Sequence, residues 1–268
     1  MAPLVLPHTR VGEGPHHVIA VHGWFSDRGA YAGVLGALDR ESFSYALPDL
    51  RGYGEVRDAQ GEFTTAEAAE DLLALADSLR WDRFSLVGHS MGGKVAQRVL
   101  SLAPGRVRRM VGVSPVPASG VQFTEESRAL FAQADERREN RRAIIDFTTG
   151  NRHPDAWLDA MVRTSEEVSD QKAFRTWFSS WADEDFQERV EGAELPVRVV
   201  VGAHDPELNA DAMRATWLAW YPNADMVELA AAGHYPADET PLELVRAVED
   251  FLRADGADGA DGAVGTDG

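Results

Sequence analysis

One short stretch, residues 88–92 with the sequence G-H-S-M-G, constrains the fold of this chain more than any other. It has the pattern G-x-S-x-G, follows a strand-like run at 84–87 and precedes a helix-like run at 94–103. A chain that leaves a strand, turns sharply and enters a helix presents its serine hydroxyl at the top of the turn, and the glycines leave room for that turn. The pattern alone occurs by chance in many proteins, but this context makes Ser90 a candidate nucleophile.

Strand-like and helix-like segments alternate on both sides of this turn. Residues 1–15 contain three prolines and predict at most a short edge strand or hairpin. The predicted strands are 17–21, 43–47, 84–87, 109–113, 195–201 and 225–229, and the predicted helices are 30–38, a helix that begins with a capping box at Thr64 and Glu67, 94–103, 211–221 and 242–253. This alternation predicts an α/β fold with a mostly parallel sheet covered on both faces.

The alternation stops between residues 119 and 191, where the sequence is charged and helical in pattern. We predict helices near 124–139, 140–149, 153–168 and 170–189, and aromatic residues recur along them. Such aromatics form either plain core or an apolar lid. The predicted organisation is therefore a core made of 1–118 and 192–254, a helical cap at 119–191, and a disordered acidic Gly/Ala/Asp tail at 255–268.

A serine hydroxyl becomes a strong nucleophile only beside a base, and that base needs an acid to orient it. Asp205 follows one predicted strand and His234 follows the last, so both belong to the same edge of the sheet as Ser90. The chain order Ser, Asp, His is also the order expected for this architecture. We therefore predict Ser90, Asp205 and His234 as a catalytic triad. The alternative is a loop aspartate and a surface histidine.

Serine attack on a carbonyl also requires N–H donors for the negative oxygen. We predict the backbone N–H groups of Met91, after the nucleophile, and Trp24, after the flexible Gly23. For substrate contacts the candidates are Phe25, Tyr235, and the pair Trp177 and Trp181, which share one helical face, so that at least one of the pair should face Ser90.

No cofactor is predicted for this chain. The other histidines show no metal spacing, and neither a G-x-G-x-x-G nor a P-loop pattern is present. The absence of cysteine excludes disulfides, thiolate zinc sites and a cysteine nucleophile. Among these histidines, His22 is expected to support the loop before Trp24, His89 to fill the turn, and His204 to be structural.

The formal net charge of −18 argues against nucleic acid as a partner. No run of about 18 apolar residues predicts a membrane span. Residues 1–10 lack both a basic region and an apolar run, so we expect no secretory signal and a cytoplasmic protein with no membrane partner.

Taken together, these motifs resemble the α/β-hydrolase superfamily over residues 15–253. The resemblance depends on H-G-W at 22–24, D-x-R-G-x-G at 49–54, the turn at Ser90, G-x-x-D ending at Asp205, and the Gly-His pair at His234, all in family order. The segments G-H-S-M-G-G-K at 88–94 and L-A-P-x-R-V at 102–107 resemble bacterial and mitochondrial acyl esterases. Those relatives place their acid where this chain has Ser114, so in this respect the chain departs from them.

The resemblance implies hydrolysis of an apolar carboxylic ester, thioester or lactone, with a small apolar acyl or aromatic substrate. A second hypothesis is carbon–carbon hydrolysis of a diketone-like substrate, although such relatives typically carry asparagine in place of His89 and tryptophan in place of Tyr235. Cofactor-free haloperoxidases also share the triad, which implies peracid formation as a side activity. Epoxide hydrolases and dehalogenases are excluded because they need an aspartate in place of Ser90. A ligand sensor with slow turnover is the alternative from another class.

Overall fold

The chain folds around one seven-stranded sheet in the computed structural model, which describes residues 2–254. The strand order is β1-β3-β2-β4-β5-β6-β7. The strands are β1 (His8–Val11), β2 (His16–Val21), β3 (Phe43–Pro48), β4 (Phe84–His89), β5 (Val107–Val113), β6 (Val197–Gly202) and β7 (Ala224–Leu229). Strand β1 pairs antiparallel with β3 at the edge, and every other neighbouring pair is parallel. The predicted mostly parallel α/β sheet is therefore confirmed.

Helices cover both faces of this sheet. They are α1 (Thr65–Ser78), α2 (Met91–Leu102), α3 (Glu125–Ala132), α4 (Arg138–Thr148), α5 (Asp155–Val168), α6 (Gln171–Asp183), α7 (Ala210–Ala215), α8 (Trp217–Trp220), α9 (Pro236–Glu239) and α10 (Pro241–Arg253). Side chains alternate between the two faces of a strand. In β4, Leu86 belongs to the buried cluster that includes Val95 of α2, whereas Val87 belongs to the cluster that includes Val248 of α10.

Helices α3 to α6 lie between β5 and β6, within residues 119–191, which we call the inserted segment. It packs on the loop that follows β2. The Trp24 ring stacks on Phe174 of α6 with 4.0 Å between ring centroids, and Trp24 Nε1 donates a hydrogen bond to the Phe174 carbonyl at 2.8 Å. The inserted segment therefore lies against the loop that we predicted to supply an N–H donor.

The prediction of a helix at 30–38 is wrong. The structure has a short 3-10 helix at Arg28–Tyr31, followed by turns that are held by bonds such as Val34 N–H to the Tyr31 carbonyl at 3.1 Å. Gly33 and Gly36 interrupt the predicted helix, and each glycine costs about 1 kcal/mol relative to alanine inside a helix. The apolar spacing survives because Val34 still packs against the sheet.

The helix predicted at 211–221 is divided at Thr216, whose φ of −124° and ψ of −92° are not helical. The Thr216 hydroxyl donates to the Ala212 carbonyl at 2.7 Å. The helix predicted at 170–189 ends at Asp183 because Glu184 is extended. The helix predicted at 124–139 ends at Ala132.

Half of the predicted capping box is present at α1. Thr64 Oγ1 accepts from the Glu67 N–H at 3.2 Å, as predicted. The Glu67 carboxylate instead accepts from the N–H groups of Glu62 and Phe63, both at 2.9 Å. Within residues 2–254 no helix is long and apolar enough to cross a membrane. The tail predicted to be disordered, 255–268, lies outside the described residues.

Candidate active site

Ser90 occupies the turn between β4 and α2 in a strained backbone conformation. Its φ is +54° and its ψ is −117°, a region that residues with a side chain rarely adopt. Gly88 permits the close approach of β4 and α2, and Gly92 permits the close approach of α2 to the end of β2. A Cβ atom on Gly88 would lie 2.3 Å from the Gly92 carbonyl oxygen, and one on Gly92 would lie 2.4 Å from the Val21 carbonyl oxygen. These contacts hold a turn that presents the serine hydroxyl at its apex.

The structure brings together the three side chains predicted to act with one another. Asp205 follows β6 and His234 follows β7, so both lie at the same edge of the sheet as Ser90. Ser90 Oγ is 3.0 Å from His234 Nε2, and His234 Nδ1 is 2.7 Å from Asp205 Oδ2. All three residues are buried. In this arrangement His234 can accept a proton from Ser90 while Asp205 holds the imidazole.

The second oxygen of Asp205 fixes the orientation of the carboxylate. Oδ1 accepts from the N–H of Glu207 at 3.0 Å and from the N–H of Leu208 at 3.1 Å. Oδ2 is therefore turned toward His234. Ser114 stands where the esterase-like relatives have their acid, but its hydroxyl is buried without a hydrogen-bond partner.

The loop after β2 lies directly beside Ser90. A Cβ atom on Gly23 would lie 3.3 Å from Ser90 Cβ and 2.9 Å from His89 Nδ1. The loop therefore approaches the Ser90 turn most closely at Gly23, and Trp24 is the next residue along the chain. Met91 is the first residue of α2, and the first N–H groups of a helix have no partner within the helix. Their role as an oxyanion hole stays a prediction.

The His22 side chain holds this loop through hydrogen bonds. Its Nδ1 is 2.9 Å from the Gly23 carbonyl and its Nε2 accepts from the Leu50 N–H at 3.1 Å. Burial lowers the pKa of His22, so the neutral ring is favoured. This contact agrees with a supporting role for His22.

His89 holds the loop that carries His234. Its Nε2 is 2.7 Å from the His234 carbonyl, so this nitrogen donates. Burial first, and the neighbouring His234 second, lower the pKa of His89 to about 3. The His89 ring is therefore neutral at physiological pH.

We expect His89→Asn to reduce the acid sensitivity of the fold. Because the folded pKa lies below the unfolded value of 6.5, the unfolded chain binds the proton first, and stability is lost as the pH falls below 6.5. One pKa unit corresponds to about 1.36 kcal/mol, so His89 alone lowers the free energy of unfolding by about 2 kcal/mol between pH 6.5 and 5. Urea unfolding at both pH values measures this difference in the two proteins. An equal loss in wild type and variant would contradict the assignment to His89.

Ser90 opens into a cavity of about 370 Å³, within the range typical of ligand pockets. Its lining is mostly apolar and comes from both the core and the inserted segment. Aromatic lining residues include Trp24, Phe25, Phe131, Phe147, Trp181 and Tyr235. Sequence reasoning did not single out Phe131 or Phe147, because the aromatic pattern of the inserted segment indicated a lid without showing which rings face inward.

The two tryptophans predicted as a pair occupy different environments. Trp181 lines the cavity. Trp177 is 1 % exposed, does not line the cavity, and donates from Nε1 to the Arg51 carbonyl at 3.0 Å. The structure thus places Phe25, Trp181 and Tyr235 at the cavity but Trp177 in the core.

Charges at the cavity are acidic. Glu126 and Glu207 join Asp205 in the lining, and none of the described lining residues is lysine or arginine. Among residues 2–254 no group of three or more His, Asp or Glu side chains could hold a metal ion.

Comparison with known proteins assigns this chain to a family. The sequence pattern of the Alpha/beta hydrolase family matches residues 18–248. Esterase YbfF of Escherichia coli is 22 % identical over 88 % of this chain and 92 % of its own length. The pimeloyl-[acyl-carrier protein] methyl ester esterase of Serratia marcescens is 24 % identical over 91 % of this chain and 96 % of its own length.

A solved structure shows the same fold. The esterase of Exiguobacterium antarcticum superposes with a TM-score of 0.83 at 17 % identity, covering 95 % of this chain and 100 % of that one. The family assignment depends on the match of the family pattern to most of the chain. The chain belongs to the alpha/beta hydrolase family of enzymes.

Proposed function

We propose that this protein is a serine hydrolase that cleaves an apolar carboxylic ester through an acyl-Ser90 intermediate. The observation that carries the proposal is the contact series at the cavity, with 3.0 Å from Ser90 Oγ to His234 Nε2 and 2.7 Å from His234 Nδ1 to Asp205 Oδ2. The esterase relatives support ester hydrolysis in general terms. Thioesters and lactones share the reacting carbonyl and belong to the same proposal.

The reaction follows from the geometry. His234 Nε2 removes the Ser90 proton as Oγ attacks the carbonyl carbon, and Asp205 stabilises the imidazolium that forms. The N–H groups of Met91 and Trp24 stabilise the negative oxygen. His234 then gives its proton to the departing alcohol. Water, activated by the same histidine, hydrolyses the acyl-enzyme.

The lining of the cavity favours a neutral substrate with an apolar acyl group. Burial of apolar area contributes about 25 cal/mol per Å². The exposed Glu126 and Glu207 disfavour an anionic substrate, since like charges repel and the described lining has no cation to offset them. We further propose that the inserted segment acts as a cap that closes the acyl site.

Trimming Trp181 tests this proposal. We expect Trp181→Ala to lower kcat/KM for p-nitrophenyl octanoate more than for the acetate, because lost apolar contact with a long chain costs about 1–3 kcal/mol, or 10–200-fold. Trp177→Ala is the matched control. It removes a tryptophan of the same helix that is outside the cavity, so it should cost about 3–5 kcal/mol of stability and leave the octanoate-to-acetate ratio unchanged.

The measurements are kcat/KM for esters of two to about twelve carbons, with a diketone and a lactone added, and melting temperatures alongside. An unchanged ratio in Trp181→Ala would move the acyl site away from this residue. Turnover of the diketone without any ester would replace the proposal by carbon–carbon hydrolysis. Binding without turnover of any substrate would replace it by a ligand sensor.

A further inference from the structure

Three consecutive backbone N–H groups of the loop that carries His234 donate hydrogen bonds that hold this loop in place. Gly233 donates to Glu239 Oε2 at 2.9 Å, His234 donates to the Thr148 carbonyl at 3.1 Å, and Tyr235 donates to Glu239 Oε1 at 2.9 Å. The two oxygens of one carboxylate therefore bind the N–H groups immediately before and after His234.

Glu239 is itself fixed in place. It is the last residue of α9, and its side chain is 1 % exposed. Arg152 and His153, in the connection between α4 and α5 of the inserted segment, both contact Oε2, His153 through Nε2 at 2.9 Å. Arg152 also donates to the Thr149 carbonyl at 2.8 Å and to the Ala231 carbonyl at 3.0 Å. A charged group on the inserted segment thus balances the buried carboxylate.

We propose that Glu239 is a positioning residue that sets the alignment of His234 with Ser90, and that Arg152 and His153 connect this alignment to the inserted segment. The inference rests on the proposed role of His234 as the base. A carboxylate suits the position because both of its oxygens accept, whereas an amide accepts at one atom only.

Glu239→Gln therefore turns an NH₂ group toward one of the loop N–H groups, and the loop must shift. A displacement of about 1 Å at a reacting group can cost 100-fold in rate. We expect kcat to fall about 10–100-fold, with KM changed less than about 3-fold, because the acyl cavity does not include Glu239.

Glu249→Gln is the matched control. The Glu249 side chain is also buried, and it accepts from the Tyr45 hydroxyl at 2.9 Å and from the Asp39 N–H at 2.9 Å while pairing with Arg253. It lies on α10, and its hydrogen bonds and ion pair go to residues outside the His234 loop. The control should lose stability and keep kcat.

Two readouts separate positioning from general destabilisation, and both are taken well below the melting temperature. The first is the division of the effect between kcat and KM. The second is the rate at which phenylmethylsulfonyl fluoride modifies Ser90, which reports Ser90–His234 alignment without any ester substrate. That rate should fall about 10–100-fold in Glu239→Gln and stay constant in Glu249→Gln.

A folded Glu239→Gln protein whose kcat and modification rate stay near wild type would overturn the inference. An equal loss in Glu249→Gln would do the same. If Glu239→Gln does not fold, Arg152→Met decides, since it removes one of the two partners of Glu239 on the inserted segment and leaves Glu239 itself in place. A several-fold slower modification supports the inference, and an unchanged rate overturns it. Failure of the proposed function itself would appear differently, as no modification of wild-type Ser90 and no ester turnover.

Discussion

Ser90→Ala is expected to lower kcat for p-nitrophenyl esters by about 10⁶-fold, because loss of a serine nucleophile removes the whole covalent route. The fold should be retained. The Ser90 side chain makes its hydrogen bond to His234, and alanine keeps the Cβ atom that packs beside Gly23. We expect the free energy of unfolding to change by about 1 kcal/mol or less, as for one neutral hydrogen bond.

The measurement is kcat and KM with the octanoate ester, together with urea unfolding. Ser114→Ala is the matched control, since Ser114 is another buried serine with positive φ, +40°, in the turn after the neighbouring strand. It should keep near wild-type activity. A Ser90→Ala protein that retained more than about a tenth of the rate would exclude Ser90 as the nucleophile.

Local signals explain why the centre of this site could be predicted from sequence. The turn at Ser90 needs glycine at 88 because of backbone contacts with residues 92 and 93, and the G-x-S-x-G pattern itself marks the second glycine at 92. The positions of Asp205 and His234 follow from strand ends, and parallel strands bring their carboxyl ends to one edge. Both kinds of signal are written in short stretches of sequence.

The contacts that sequence did not reveal depend on distant packing. Trp177 and Trp181 have the same helical phase, yet one lies in the core and the other at the cavity, because Trp177 Nε1 meets the Arg51 carbonyl of a separate loop. The role of Glu239 likewise requires Arg152 from the inserted segment. The residue spacing around Trp177 or Glu239 does not predict these contacts, because their partners lie far away in the sequence.

Where local and tertiary preferences conflict, packing against the sheet decides. In the segment 30–38 the apolar spacing predicted a helix, but the two glycines lower its helical stability and Val34 reaches the sheet from a turn instead. Apolar spacing therefore identified which residues are buried better than it identified the backbone conformation.

Asp205→Asn should lower kcat by about 10⁴-fold, since an asparagine at this position holds the histidine in the wrong tautomer. The structure gives the reason. The N–H groups of Glu207 and Leu208 both require an oxygen at the Oδ1 position, so the amide oxygen takes that place and the NH₂ group faces His234 Nδ1. Nδ1 must then accept, the proton moves to Nε2, and Nε2 can no longer receive the proton of Ser90.

Ser114→Ala distinguishes this acid from the position used by the esterase-like relatives. The Ser114 N–H donates to the Val200 carbonyl at 2.8 Å, a bond that alanine retains, while the hydroxyl has no hydrogen-bond partner. Removing that hydroxyl should therefore leave kcat within about 3-fold of wild type, because no interaction that differs between ground and transition state is lost. The measurement is kcat for both variants with the same ester, and circular dichroism verifies folding. An inactive Ser114→Ala protein beside an active Asp205→Asn protein would overturn the proposed triad and leave the Asp205–His234 contact with a structural role, since a base whose tautomer is fixed elsewhere would not depend on Asp205.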